Sequence, residues 1–378
     1  MQGPPGLAAA GAYLAARVAD GLLPSAVLEV GDAAGVLGRV NLSVPVDAIY
    51  DLASLTKVLA TGLVATHFFA SRQLDLDARV AEALPEWRRT DDADIRVRDL
   101  LAHSSGLPAH LPLYERHSGP EAFVAAIAGT PLLARPRTSA IYSDLGFIVL
   151  GRLLERVGGR SLDAQVATLF TGLSTPPAFI RVAPPAGTAG GYRLEASSAL
   201  PEGSSTPPEA KSALAETGPI VGTGHSAWRG RALTGEVHDD NAAAMGGVAG
   251  HAGLFGSVAG VGEIARLVLR GLRGDETGLV PAWALTAFAR RSPVPHSSRA
   301  LAWDTALPTS SSGRFLSPRA IGHTGFTGTS LWIEPVCDRY VVLLTNRVAG
   351  TATAADMLAI RREVHDLLGA AWNGALRG

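Results

Sequence analysis

Segments that read as β-strands lie at both ends of this 378-residue chain, and the long middle part reads as mainly helical. Near the N-terminus, residues 27–31 and 36–40 are two apolar-rich runs around a turn, a pattern typical of paired strands. Near the C-terminus, residues 323–327, 330–335 and 339–347 are three further strand-like runs. Strands need partners for their backbone hydrogen bonds. The sequence therefore predicts one sheet built from both ends of the chain, with a helical region inserted between them.

The composition limits the kinds of partner that the chain can have. Hydrophobic residues make up 47% of the sequence and charged residues 18%, which is enough apolar material for a sizeable core. A formal net charge of −1 with scattered arginines gives no sign of a nucleic-acid partner. No apolar stretch is long enough for a membrane span. The first residues lack the basic start of a signal peptide, so we expect a cytoplasmic protein, or a periplasmic one if a leader was removed.

Lysine is rare in this chain. Of its 33 lysine and arginine residues, only Lys57 and Lys211 are lysines. Lys211 falls in a long irregular segment at about 183–235, rich in Pro, Gly, Ser and Thr, where we expect a solvated charge. Lys57 instead follows Ser54 by three residues, at the start of a helix with a wide apolar stripe. Arginine keeps its proton at any working pH, whereas a lysine amine can be tuned to release it, so Lys57 is a candidate for chemistry.

Ser54 and Lys57 are spaced so that they can meet. Residues three apart lie on the same face of a helix, so the amine can reach the hydroxyl. Free N–H groups and the helix dipole at the N-terminus favour developing negative charge. Ser54 is therefore a candidate nucleophile, and its own amide is a candidate oxyanion donor. Ser54 as a simple helix cap is the alternative, and it leaves the lysine unexplained.

Two further motifs contain groups that could take part in catalysis. Tyr142 precedes a helix predicted at residues 145–157, and a tyrosine held near a cation can act as a general base. Asp144 fits the N-cap of that helix equally well. In the second motif, Gly325 would let a substrate lie close to a strand, and the amide of Phe326 could be a second oxyanion donor. Taken alone, the second motif fits an ordinary strand next to a turn.

The three motifs occur in the order Ser-x-x-Lys, Tyr-x-Asp and His-Thr-Gly. In this order the chain resembles the serine β-lactamase and penicillin-binding protein superfamily. More narrowly, it is similar to the branch that contains class C β-lactamases, family VIII carboxylesterases and D-alanyl-D-alanine carboxypeptidases. The resemblance extends from about residue 25 to the C-terminus. The supporting segments are residues 97–108, 142–151, 235–241, 246–255 and 323–329.

The resemblance implies a fold and a domain arrangement. We expect an α/β fold of the α+β type, in which an antiparallel sheet from the N- and C-terminal segments is flanked by helices. Residues 1–62 and 315–378 would form this sheet domain. Residues 63–314 would form a mostly helical insert.

The resemblance also assigns roles to residues. Ser54 takes the position of the nucleophile, Lys57 that of its partner and Tyr142 that of the motif tyrosine. The amides of Ser54 and Phe326 take the oxyanion-hole positions. The positions that contact substrate fall on Asp144, His323, Thr324 and Gly325. The implied partner is a small-molecule ester or amide, with no metal or organic cofactor, and the oligomeric state stays open.

A different register would give Ser143 and Asp144 the roles of a Ser-Asp-Asn motif found in another branch of the superfamily. Leu145 stands where that motif ends in asparagine, and Tyr142 is present, so the tyrosine register is favoured.

Two motif residues differ from the usual family pattern. Asp144 replaces an asparagine, and a carboxylate facing Lys57 would raise the lysine pKa. Lys57 would then be a fixed cation beside Tyr142, which leaves Tyr142 as the base. His323 replaces a lysine that faces substrate carboxylates in this superfamily, and a histidine is mostly neutral near pH 7. We therefore expect better activity on esters than on β-lactams.

The leading hypothesis is a serine hydrolase that forms an acyl-enzyme on Ser54. A D-alanyl-D-alanine carboxypeptidase or β-lactamase is the first alternative, and a non-catalytic penicillin-binding-like sensor is the second. A metal site is a weaker idea, because the spacing of the candidate ligands fits no standard pattern and loop packing explains them better. Those candidates are His238, Asp239, Asp240 and His251.

Overall fold

A six-stranded antiparallel sheet joins the two ends of the chain, which confirms the predicted fold class. The structure is a computed structural model, and it describes residues 3–87, 94–182, 214 and 216–375. Eleven strands are assigned within these residues. They are β1 (Ala26–Gly31), β2 (Val36–Leu42), β3 (Tyr50–Asp51), β4 (Ala178–Phe179), β5 (Gly222–Ser226), β6 (Arg231–Thr234), β7 (Leu254–Gly256), β8 (Asp304–Thr305), β9 (Ile321–Thr324), β10 (Ser330–Glu334) and β11 (Arg339–Thr345).

Helices make up most of the remaining regular structure. The α-helices are α1 (Leu7–Ala19), α2 (Leu63–Ala70), α3 (Val80–Ala83), α4 (Val97–Leu101), α5 (Pro120–Ala128), α6 (Asp144–Gly158), α7 (Leu162–Leu169), α8 (Asp240–Ala244), α9 (Val258–Leu272), α10 (Ala282–Ala289) and α11 (Ala354–Ala375). A π-helical stretch, Lys57–Gly62, leads into α2, and the 3₁₀ turns are Leu113–Glu115 and Arg347–Ala349. Among the described helices, none combines the length and apolarity that crossing a bilayer requires.

The central strands β1, β11 and β10 of the large sheet are buried on both faces, which explains why β11 reads as a continuous apolar run. Its strand order is β2-β1-β11-β10-β9-β8. Along β11, Val341 and Leu343 pack with α1 and α11, whereas Val342 and Leu344 point into the main core beneath α9. This alternation follows the two-residue period of a strand. The pairing of β1 with β11 brings the N- and C-terminal segments together.

A smaller sheet leads to the candidate nucleophile. Its strand order is β3-β7-β4, and β3 ends at Asp51, three residues before Ser54. The chain turns at Ala53, whose φ of 47° lies in the left-handed region that non-glycine residues seldom adopt. Helical structure begins at Leu55. Ser54 is thus held at a sharp turn between a buried strand and a buried helix.

Several predicted elements compare closely with the structure. The helix predicted at residues 145–157 is α6, and it ends at Gly159, whose φ of 63° is that of a left-handed cap. Residues 222–234, which lie in the predicted irregular segment, instead include the hairpin β5–β6. Residues 183–213, with Lys211, lie outside the described residues. The boundaries of the two predicted domains stay a prediction.

Candidate active site

Lys57 is fully buried directly behind Ser54. Its Nζ atom donates to Ser54 Oγ at 2.9 Å, to Asp144 Oδ1 at 2.7 Å and to the His251 carbonyl at 3.2 Å. An ammonium group has three protons, and three acceptors surround this one. Burial alone would lower the pKa of Lys57, but the charge of Asp144 together with Tyr142 outweighs it and raises that pKa. Lys57 is therefore a cation at neutral pH.

Asp144 lies in the first turn of α6, opposite Lys57. Burial would raise the pKa of its carboxyl, but Lys57 and His110 hold that pKa well below its usual range. Ser143, and not Asp144, caps α6, because Ser143 Oγ accepts from the Gly146 amide at 3.2 Å. The alternative prediction of Asp144 as the N-cap is therefore wrong, and its carboxylate is directed to the lysine.

Tyr142 lies between two cations at the wall of the cleft. The Lys57 Nζ atom and the Arg299 Cζ atom are each 4.9 Å from the centroid of its ring. The ring also contacts those of His103 and His323, at centroid distances of 4.7 Å and 5.6 Å. Two positive charges therefore act on the Tyr142 side chain at close range.

The turn between β9 and β10 is tied to the segment that precedes Ser54. Thr327 Oγ1 donates to the Asp51 carbonyl at 2.8 Å, and Thr329 Oγ1 donates to the Leu52 carbonyl at 3.1 Å. Gly325 must be small there, because a Cβ atom would lie 2.8 Å from the Leu52 carbonyl oxygen. These bonds fix the backbone of Phe326 relative to that of Ser54. Among the described residues, neither the Ser54 nor the Phe326 amide has a hydrogen-bond acceptor.

His323 is buried behind Tyr142 and is neutral at pH 7. Its Nδ1 atom is 2.8 Å from the Thr324 carbonyl, which makes Nδ1 the protonated nitrogen. Burial, with the charges of Arg299 and Lys57, lowers its pKa well below the usual value. His323, Thr324 and Gly325 do not line the cleft that opens above Ser54, whereas Ser54, Tyr142, Asp144 and Phe326 do.

The cleft has a volume of about 450 Å³. Asp51 and His110 line it, and sequence reasoning missed both. The Asp51 carboxylate accepts from the Ala53 amide at 2.8 Å and from the His238 amide at 2.7 Å, so it fixes the turn before Ser54. Burial raises the pKa of Asp51 to about 6. The sequence signal that could have identified Asp51 is an aspartate three residues before the candidate nucleophile Ser54.

A second cavity, of about 470 Å³, lies between α2, α7 and residues 276–281. None of the candidate catalytic residues lines it. The slightly smaller cleft above Ser54 is the better candidate site, because it combines a candidate nucleophile, a buried cation and two amides without acceptors among the described residues.

Three side chains in the cleft could hold a metal ion. The ligand atoms of His110, Asp144 and Asp239 lie within 4.8 Å of one another. Asp144 is already paired with the Lys57 ammonium, and Asp239 is 2.9 Å from His251 Nε2. The nearby ammonium would repel a metal ion.

The loop residues that the sequence offers as candidate metal ligands are mostly occupied by internal contacts. Asp239 Oδ1 accepts from the Ala242 amide at 2.8 Å at the start of α8. Asp240 Oδ1 accepts from Arg229 Nη2 at 2.8 Å. These contacts agree with the interpretation of loop packing.

Comparison with known proteins identifies the family. The Beta-lactamase family profile matches residues 8–366. A protein of Escherichia coli strain K12, provisionally assigned as a D-alanyl-D-alanine carboxypeptidase, is 30% identical over 334 residues, which are 82% of this chain and 72% of that protein.

Solved structures show the same fold. EstCE1, described as a hydrolase with promiscuous acyltransferase activity, aligns with a TM-score of 0.68 at 17% identity, over 96% of this chain and 98% of its own. A variant of simvastatin synthase from Aspergillus terreus aligns with a TM-score of 0.68 at 16% identity, over 99% of this chain and 98% of its own. On the family profile and this shared fold, the chain belongs to the Beta-lactamase family.

Proposed function

We propose that this protein is a serine hydrolase that cleaves small carboxylic esters through an acyl-enzyme on Ser54. The observation that supports this most directly is the 2.9 Å hydrogen bond from Lys57 Nζ to Ser54 Oγ. A buried cation beside a hydroxyl favours its ionised form, which is the nucleophile. The hydroxyl also lies at the N-terminal end of a helix and at the wall of an open cleft, where a substrate carbonyl can reach it.

Acylation begins with attack by Ser54 Oγ on the ester carbonyl. The Oγ–C bond forms as the carbonyl π electrons move to oxygen, and the amides of Ser54 and Phe326 stabilise the resulting oxyanion. Tyr142, which starts each half-reaction as its phenolate, accepts the proton that leaves Ser54 and returns it to the alcohol oxygen as the ester C–O bond breaks. The alcohol leaves, and the acyl group stays on Ser54.

Lys57 contributes positive charge in this scheme, and Tyr142 transfers the proton. The raised pKa of Lys57 keeps its ammonium fully protonated at neutral pH, so it has no free pair to accept a proton. Its hydrogen bond to Ser54 Oγ stabilises the developing alkoxide.

Deacylation uses the same groups with water in place of the alcohol. Tyr142 accepts a proton from the attacking water, and the oxygen of that water bonds to the acyl carbon. The carbon–Oγ bond then breaks, and Tyr142 returns the proton to Ser54. The products are the carboxylic acid and the free enzyme.

The charges around the cleft favour esters over substrates that have a carboxylate. His323, at the position where the family pattern has lysine, is buried and neutral. The Lys57 charge is matched by Asp144. A substrate carboxylate would therefore gain little attraction and would meet the negative charge of Asp144. Turnover of a cephalosporin as fast as that of the best ester would contradict this preference.

A D-alanyl-D-alanine carboxypeptidase is the second candidate function. The observation that favours it is the 30% identity to the Escherichia coli protein provisionally given that name. The two candidates share the Ser54 acyl-enzyme and differ in the acyl donor, so one panel containing p-nitrophenyl esters and an acyl-D-alanyl-D-alanine peptide separates them.

The exchange Ser54→Ala tests the proposed nucleophile. We expect it to abolish hydrolysis of short p-nitrophenyl esters, because no other group replaces the attacking oxygen. Ser71→Ala, at the exposed end of α2, is the matched control and should retain the parent rate. Near-parental turnover by the Ser54 variant would refute the assignment.

A further inference from the structure

A buried arginine reaches the candidate oxyanion hole from behind. Arg361 lies on α11, and only 8% of its surface is exposed. Its Nη2 atom donates to the Gly325 carbonyl at 2.7 Å and to the Thr329 carbonyl at 2.8 Å. These two carbonyls flank the β9–β10 turn that presents the Phe326 amide. Arg361 does not line the cleft, so it has no direct contact with a substrate there.

The Gly325 carbonyl and the Phe326 amide belong to the same peptide group. That group is planar and its C=O and N–H bonds point in opposite directions, so holding the carbonyl toward Arg361 directs the amide away from it. A charge-assisted hydrogen bond to the oxygen also polarises the group, which makes the N–H a stronger donor. The Gly328 amide also donates to the Gly325 carbonyl, at 3.1 Å, so the arginine adds a charged donor that further orients the peptide group and strengthens its N–H.

The charge of Arg361 is not balanced by an acid. Among the described residues, no carboxylate lies within ion-pair distance of its guanidinium, and its Nε atom has no hydrogen-bond partner. The charge of Arg347, another cation, lowers the pKa of Arg361 further. Burying an unpaired cation costs free energy of folding. Arg361 therefore places an uncompensated positive charge beside the β9–β10 turn.

Arg361 keeps this charge under working conditions. Burial, with some repulsion from Arg347, lowers its pKa to about 9, which still leaves the guanidinium protonated at neutral pH. Arg347 itself donates from Nε to the Phe326 carbonyl at 2.6 Å, so cations hold the peptide groups on both sides of Phe326.

We propose that Arg361 is a positioning residue that orients and polarises the Gly325–Phe326 peptide group, so that the Phe326 amide stabilises the oxyanion during acylation. This role rests on the proposed Ser54 acyl-enzyme chemistry. It differs from simple bracing of the turn, because Thr327 and Thr329 already tie that turn to the chain before Ser54.

The test is steady-state kinetics on a p-nitrophenyl ester, with the inhibition constant of phenylboronic acid as a second readout. Boronic acids form a negatively charged tetrahedral adduct with an active serine, so their affinity reports oxyanion stabilisation. For Arg361→Met we expect kcat to fall by about tenfold to a hundredfold, below the loss for a direct donor. We expect KM to change less than about twofold, since ground-state binding is untouched. Boronate affinity should fall in parallel with kcat.

Two further variants separate the effect of positive charge from that of hydrogen-bond donation. Arg361→Gln keeps an N–H donor without the charge, and Arg361→Lys keeps the charge, so the lysine variant should retain more kcat than the glutamine variant. Arg362→Met is the matched control, because Arg362 is the next residue on α11 and its contact with the Pro308 carbonyl is exposed. It should behave as the parent. If the methionine variant does not fold, the kcat values of Arg361→Lys and Arg361→Gln are compared instead, and they decide whether the charge of Arg361 matters.

Three results would overturn the proposal. They are an unchanged kcat in a folded Arg361→Met protein, a loss confined to KM with boronate affinity retained, and equal kcat for the lysine and glutamine variants. Labelling of Ser54 in the parent by a fluorophosphonate distinguishes failure of this role from failure of the function. A labelled parent with unaffected arginine variants overturns only the role of Arg361, whereas an unlabelled parent overturns both.

Discussion

The Nζ atom of Lys57 donates to the Oδ1 atom of Asp144 at 2.7 Å, and this ion pair lies directly behind Ser54. Each partner stabilises the charged form of the other, so the pKa of the lysine is raised and that of the aspartate is lowered. At neutral pH the site therefore contains an ammonium group and not a free amine. In the proposed scheme, this pair leaves Tyr142, and not Lys57, to accept the proton of Ser54.

Removing the carboxylate should change the pH dependence of the enzyme. In Asp144→Asn, burial is no longer opposed by a full negative charge, so the pKa of Lys57 falls. A protonated Lys57 is required in the proposed scheme, and activity is lost as pH rises through its pKa. In the parent this loss should lie above the decline near pH 9 that is expected from Arg361, and in the variant it should lie at lower pH. The measurement is kcat/KM against pH, with Asp20→Asn at an exposed site as control. If the decline of kcat/KM at alkaline pH were the same in the variant and the parent, the proposed role of the Lys57–Asp144 ion pair would be contradicted.

Conservative replacement of Lys57 tests whether charge is enough. Lys57→Arg keeps a cation that cannot act as a base, and we expect measurable ester turnover from it. Lys57→Met leaves Asp144 without its partner and should lose about a hundredfold or more in kcat. Breaking a buried pair costs about 3–5 kcal/mol of unfolding free energy, and the partial exposure of Asp144 puts the loss near the lower figure. Thermal unfolding and kcat are measured on both. Equal inactivity of two folded variants would show that Lys57 must release a proton.

Asp51 should give the acid side of the pH profile. Its folded pKa of about 6 exceeds the ordinary value, so its ionisation lowers the free energy of unfolding as pH rises toward 6. As pH falls through about 6 the carboxyl becomes neutral and accepts the Ala53 and His238 amides more weakly. We expect kcat to decline as pH falls through about 6. This acidic decline should be absent in Asp51→Asn. His110→Asn is the comparison, because His110 also lines the cleft; disappearance of the acidic decline in that variant alone would assign it to the histidine.

Substituting Gly325 should damage catalysis through the backbone. An added Cβ would lie 2.8 Å from the Leu52 carbonyl, so the β9–β10 turn must move away from the Ser54 segment. Gly325→Ala is expected to reduce kcat by about tenfold to a hundredfold through misplacement of the Phe326 amide. Gly35→Ala is the control, because a Cβ atom there meets nothing within 4 Å. Parental kcat in Gly325→Ala would remove this turn from the oxyanion hole.

Restoring the usual family residues should shift the acyl donor. The double exchange Asp144→Asn with His323→Lys removes a negative charge and adds a positive one near Tyr142. The rate of acylation by a penicillin, whose carboxylate then meets a more positive cleft, should rise by about tenfold relative to that by an ester. A ratio of the two acylation rates that stays at the parental value would show that these side chains do not set the preference.

Local patterns in the sequence were enough to predict the large sheet and α6, because strand and helix periods are local. The Ser54–Lys57 contact follows equally from spacing along a helix. The hairpin at residues 222–234 was missed because Gly, Thr and Ser dilute its alternation.

Contacts between distant parts of the chain could not be predicted in the same way. The approach of Asp51 to the His238 amide joins residues that are far apart in sequence, and no local period encodes it. Ser143 and Asp144 are both good caps, so only the direction of the Asp144 side chain toward Lys57 decides between them. The contact of Arg361 with the β9–β10 turn could not be predicted from local patterns either, because it depends on how α11 packs.

The most direct measurement is the intact mass of the protein after incubation with a fluorophosphonate and, separately, with a fluorescent penicillin. We predict one added phosphonyl group, located by peptide mapping at Ser54 and absent from Ser54→Ala, with much slower addition of the penicillin. An unmodified mass after fluorophosphonate treatment, or a label at any residue other than Ser54, would contradict the acyl-enzyme at the centre of this account.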